Sequence, residues 1–230
     1  LRFQPGNHDA ARKLSGLYAQ LGQSQDAIAV LTSILENQPR DNEVRYMRAV
    51  AFRQLQENDN AIRDLNTILN SDARHSAAII MRAAIHSDSG EYREALADYN
   101  RAIEIQGQQP ELLLLRGTSH SAAGDGNSAL VDFTSLLNAD PSHESARIAR
   151  ANTFLRIGDE QAALADAQHV LSQSPDHPDA LVLRADLLFA RGDVGAALRD
   201  YDSLLARDVE GENTLWNRCR CRMELGLDVL

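Results

Sequence analysis

Five aspartates stand 34 residues apart: Asp64, Asp98, Asp132, Asp166 and Asp200. Carboxylates held on helices are the raw material of general acid–base catalysis and of metal binding. His86 and His120 are spaced by the same interval and could share a metal ion. Gly124 to Ser128 reads GDGNS, which in isolation resembles a loop that cradles phosphate. Cys219 and Cys221 are the two thiols.

None of these groups forms a catalytic constellation. Enzymes place unique groups at one site, so a carboxylate repeated five times reads as structure. An arginine column accompanies it at Arg48, Arg82, Arg116, Arg150, Arg184 and Arg218. Leu14 and Val30 replace the two columns in the first repeat, so the pair vanishes together. This internal covariation points to an Arg–Asp ion pair between helices of one repeat, for example Arg116 with Asp132, and leaves Arg218 over. His86 and His120 share a column with Phe52 and Phe154, which reads as a core edge rather than a metal site. His75, His143 and His177 fall between repeats and are expected to be solvated. GDGNS falls in an ordinary turn between helices. The cysteines, two residues apart on a helix, point about 200° apart and do not suit a disulfide. No catalytic residue, metal or cofactor is expected, and the chain reads as a non-enzyme.

The elements that position these residues are helices. In Gly90–Ile103, the residues Tyr92, Ala95, Leu96, Tyr99, Ala102 and Ile103 make one apolar stripe, with Asp98 at its edge. Stepping by 34 from Gly90 reaches Gly22, Gly124, Gly158, Gly192 and Gly226, with Gln56 the one departure. Ala27, Ala61, Ala95, Ala129, Ala163 and Ala197 recur without exception. The repeats are therefore 8–41, 42–75, 76–109, 110–143, 144–177 and 178–211, after a lead-in at 1–7. Residues 212–230 form the first helix of a partial seventh repeat, expected to act as a cap. Each repeat reads as helix, turn, helix. The Gly column supplies the φ > 0 residue that ends the first helix. Glu91, Asp125, Asp159 and Asp193 follow it and are placed to cap the second. Pro39, Pro141 and Pro175 share a column and end second helices. Two walls of small residues allow close approach: the alanine column, and Ser15, Ala49, Ala83, Gly117, Ala151, Ala185 and Cys219. Cys219 thus reads as a small core residue.

Composition narrows the partners. The 230 residues carry a formal net charge of −10 and 24% charged side chains. That balance argues against gripping nucleic-acid phosphates or an anionic membrane surface. No apolar run is long enough to span a bilayer, and LRFQPGNHD has no signal-peptide hydrophobic region. The missing initiator Met reads as a sign of excision or processing. No compartment is named, and the cytoplasm is the default.

The 34-residue helix–turn–helix with small residues at two fixed places resembles the tetratricopeptide repeat (TPR). Gly117, Gly124, Ala129, Phe133 and Pro141 stand at matching places in the fourth repeat. The resemblance implies an all-α, right-handed α-solenoid superhelix whose first helices line the concave face. It also implies that the arginine column replaces a family leucine. Asp132→Ala is then expected to destabilise more than Arg116→Leu, which restores that leucine. Ligand-facing positions include the fifth of each repeat, here Tyr46, Ile80, Leu114, Ile148, Val182 and Trp216, and the ninth, which contains Asn152. Chaperone adaptors that clamp terminal carboxylates carry Lys and Asn at these places; this chain has no such Lys and only Asn152. The expected function is a scaffold or adaptor that binds a protein or peptide, apolar and neutral to basic, in the groove. The alternatives are a recruiting arm of a larger enzyme and a TPR scaffold that self-associates through its open ends.

Overall fold

A computed structural model describes residues 13, 16–18, 21–206 and 212–227. These residues are helical, with short turns and no strand among them. The helices run α1 (Ser24–Asn37), α2 (Asn42–Gln54), α3 (Asn58–Ser71), α4 (Ser76–Asp88), α5 (Tyr92–Gln106) and α6 (Pro110–Ala122). They continue as α7 (Gly126–Ala139), α8 (Glu144–Ile157), α9 (Glu160–Gln173), α10 (Pro178–Ala190), α11 (Val194–Leu205) and α12 (Glu212–Glu224). The architecture is an α-solenoid of helical repeats. The chain divides into two compact halves, residues 1–112 and 113–230.

The turns follow from one backbone conformation. Gly22, Gly90, Gly124, Gly158, Gly192 and Gly226 all have positive φ. Gln56, the departure in that column, adopts φ 61° as well, the one non-glycine to do so among the described residues. The left-handed residue lets the next amide return to the helix end, as Asp125 N does to His120 O and Asp159 N to Phe154 O, each at 2.9 Å. Of the expected caps, Asp125 accepts from Ser128 N and Asp159 from Ala162 N. Glu91 and Asp193 make no side-chain cap.

First helices are capped differently. Asp41 accepts from Val44 N at 3.1 Å. His75, His143 and His177 occupy the same column and do the same with Nδ1, accepting from Ala78, Ala146 and Ala180 N at 3.2–3.4 Å. These three histidines are half-buried and engaged, where the sequence had suggested solvated loop residues. An acceptor at Nδ1 places the imidazole proton on Nε2.

Packing is built on the small walls. The alanine column is buried throughout, and Ala49, Ala83, Gly117, Ala151 and Ala185 are buried opposite it. Leu31, Leu65, Tyr99, Phe133, Ala167 and Tyr201 fill the space beside them and are fully enclosed. Gly117 has a specific partner, because a Cβ there would lie 2.7 Å from the Phe133 ring. In the seventh repeat the order is different. Cys221 is buried and Cys219 only half-buried. Cys221 shares its column with Ala51, Ile85, Ser119, Thr153 and Leu187, all buried. It joins Tyr201 and Leu204 in one apolar cluster. Cys219 belongs to the wall that a second helix of the same repeat would cover, and the described residues contain none after α12. Leu14, Ser15 and the lead-in lie outside the described residues. No described helix is long and apolar enough to cross a membrane.

Candidate functional site

The aspartate column is settled by geometry. Arg48, Arg82, Arg116, Arg150 and Arg184 each donate Nε and Nη2 to the two carboxylate oxygens of Asp64, Asp98, Asp132, Asp166 and Asp200, at 2.6–2.8 Å. Such a planar fork holds a carboxylate more tightly than a single contact. The aspartates are buried, so the guanidinium is the neutralising charge each one needs. Hydrogen bonding to Asp132 and Asp200 in turn raises the pKa of Arg116 and Arg184 against the opposing effect of burial. Where the column beyond holds phenylalanine, the guanidinium also lies over the ring: Arg48 over Phe52 and Arg150 over Phe154, both at 5.8 Å.

The arginines reach backwards too. Arg48 Nη1 donates to Thr32 (3.1 Å), Arg82 Nη1 to Asn66 (2.5 Å) and Arg150 Nη1 to Thr134 (3.3 Å), each in the preceding helix pair. Arg218, which the sequence left without a partner, uses this second direction and donates Nε to Asp202 at 2.6 Å. The polar column Thr32, Asn66, Thr134 and Asp202 carried that signal, but its residue types vary and the strict Arg–Asp match masked it.

No catalytic or metal constellation accompanies these pairs. No group of three or more metal-binding side chains exists among the described residues. His86 Nδ1 lies 2.5 Å from Glu91, and His120 Nδ1 lies 3.3 Å from Asp125, each beside the turn of its own helix pair. GDGNS is that turn, with Asp125 capping α7. Hydrogen bonds from Ser128 hold the Asp125 carboxyl below its ordinary value.

The row of fifth-position residues is apolar and partly open. In the N-terminal half, Tyr46 and Ile80 are half-buried against one core cluster. The Tyr46 ring meets His75 at 5.9 Å between centroids. Burial pushes the Tyr46 phenol up, while the charge of Arg53 pulls the other way. In the C-terminal half, Leu114 is half-buried, Ile148 is 8% exposed, and Val182 packs beside it on the same cluster. Asn152 is exposed, and Trp216 is 63% exposed. The row is therefore shared between core and surface, most core-like at Ile148 and most open at Trp216.

Sequence reasoning missed the polar partners near Trp216. Asp186 accepts from Tyr201 Oη at 2.5 Å and from Asn217 Nδ2 at 3.1 Å. Burial and then this carboxylate push the Tyr201 phenol far up, so it stays a donor. Arg220 lies 4.5 Å from the centroid of the Phe189 ring.

Known structures share the fold. A tetratricopeptide repeat protein from Parabacteroides merdae is 21% identical, with 96% of this chain and 86% of that one aligned and a TM-score of 0.73. MamA (41-end) from Desulfovibrio magneticus RS-1 is 15% identical over 76% of this chain and 99% of its own, with a TM-score of 0.70. PilW, described as a widely conserved type IV pilus biogenesis factor, is 19% identical over 81% and 87%, with a TM-score of 0.69. No curated protein matches the chain. Models of the tetratricopeptide repeat match residues 13–78, 114–178 and 148–212, and a second such model matches 76–109. With most of its length covered by these models, the chain belongs to the tetratricopeptide repeat family.

Proposed function

We propose that this protein is an interaction scaffold that holds a peptide or protein segment along its first helices, against the fifth-position row. The observation that carries this is the row itself: Tyr46, Ile80, Leu114, Val182 and Trp216 all keep apolar surface in reach of solvent. Apolar surface recurring at one position is retained on a folded protein when something covers it. Family membership supports the general role, since helical solenoids present extended surfaces to other proteins. The ligand segment is predominantly apolar and neutral to basic, because the chain carries a net charge of −10. Trp216, large and open, is the anchor the segment meets at the C-terminal end.

Leu114→Asp tests this reading. It places a charge in the row at a half-buried position. The expected result is loss of peptide binding with helicity and melting temperature nearly unchanged. Unfolding of the variant would make the row core rather than groove. A variant that folds and binds as before would move the binding surface elsewhere.

A further inference from the structure

An apolar cleft of about 150 Å³ opens in the N-terminal half. Gly16, Ala27 and Leu31 line one side, and Tyr46, Met47 and Val50 the other. An apolar cavity of about this volume is large enough for benzene. The cleft traces to one residue. The ninth-position column reads Gly16, Val50, Ala84, Thr118, Asn152, Asp186 and Arg220, so Gly16 alone brings no side chain. A Cβ at Gly16 would meet no atom within 4 Å. Below it, Ala27 and Leu31, which are core residues, become the floor.

Tyr46 supplies a polar handle. Its hydroxyl has no hydrogen-bond partner among the described residues, and burial keeps the phenol protonated. It can donate to a carbonyl beside whatever enters the cleft. No charged side chain lines the space, so the group that enters carries no charge.

We propose that this cleft takes one apolar side chain of an extended peptide, of leucine, methionine or phenylalanine size, while Tyr46 hydrogen-bonds the adjacent peptide carbonyl. The inference rests on the groove reading above and adds its specificity pocket. Residues flanking the anchor are neutral or basic, to suit the acidic chain.

The test is an amide-resolved NMR titration of the whole chain with acetyl-Gly-Ser-Leu-Ser-Gly-amide and its Phe, Ala and Asp counterparts, with toluene as a separate probe. The Leu and Phe peptides are expected to give saturable shifts at Gly16, Tyr46 and Val50, and the Ala and Asp peptides none. Gly16→Leu fills the cleft at a helical position with open space, so it should abolish those shifts while holding or raising the melting temperature. Tyr46→Phe should weaken the Leu peptide several-fold and leave toluene unaffected. Peptide shifts confined to Leu114, Ile148 and Val182 would overturn the pocket and leave the groove standing. Shifts on the second helices, or none anywhere, would sink both. Toluene binding without peptide binding would make the occupant a free small molecule and overturn the peptide assignment.

Discussion

Asp132 lies deeper than the arginine that neutralises it: its side chain is 3% exposed and that of Arg116 is 19%. This asymmetry reverses the order expected from the family leucine. Arg116→Leu leaves a carboxylate with no counter-charge in an apolar site, which costs on the order of 3 kcal/mol. Asp132→Ala leaves a guanidinium on a long stem that can turn toward water. Thermal melts should therefore show Arg116→Leu as the more damaging single change. The double variant Arg116→Leu, Asp132→Val should recover much of the loss, because no charge is then left buried. Equal melts for both single variants would show that the pair contributes nothing net.

Gln56 holds a left-handed backbone at φ 61° where the other described turns use glycine. A side chain in this region costs about 1 kcal/mol or more. Gln56→Gly relieves that strain, less the added freedom of the unfolded chain. Chemical denaturation should show a gain of roughly 0.5–1 kcal/mol. A loss would mean that Gln56 makes a stabilising contact that outweighs its backbone.

The two cysteines should differ in reactivity. Cys221 is fully enclosed, and burial, helped by the charge of Glu224, pushes its thiol up. A thiol-modifying reagent at pH 7 should label half-buried Cys219 first and Cys221 only as the protein unfolds. The raised value also has a sign. The folded state holds this proton more tightly, so its contribution is fully present below the ordinary thiol value near 8.5. It is lost as pH rises through the folded value. Cys221→Ala should flatten that part of the alkaline stability curve, and an unchanged curve would assign the loss to other groups.

Helix α12 covers the apolar cluster that holds Leu204 and Tyr201. Deleting 212–230 should expose it and promote association, which light scattering would register as a rise in mass. A truncated chain that stays monomeric and equally stable would show that α12 is no cap.

Much of this was legible in the sequence because solenoid packing imposes one residue type per place. The alanine wall, the positive-φ column and the Arg–Asp forks could each be read from a fixed interval. The failures share a cause. The histidine caps were hidden because an imidazole is an uncommon helix cap, although Asp41 in the same column pointed to one. The Arg218–Asp202 pair was hidden because its column accepts Thr, Asn or Asp equally. Cys219 was misplaced because the column rule holds only where a second helix follows. The binding row was legible as a pattern, but its division between core and surface is not periodic. Ile148 sinks to 8% exposure while Trp216 stays at 63%.

The backward reach of Arg48, Arg82 and Arg150 has a mechanical consequence. Greasy contacts between helices have no preferred register and can slide, whereas a guanidinium held at three points cannot slip without breaking all of them. Pulled from its ends, an array stitched in this way should resist until one stitch tears, then release a whole repeat at once. Each release would free 34 residues, roughly 110–120 Å of extended chain. Removing Asn66 or Thr134 as acceptors would leave the heat stability of the molecule little changed yet lower the force at which the seam opens. The arginine column thus gives a soft, modular protein the shear stiffness to keep its shape under load.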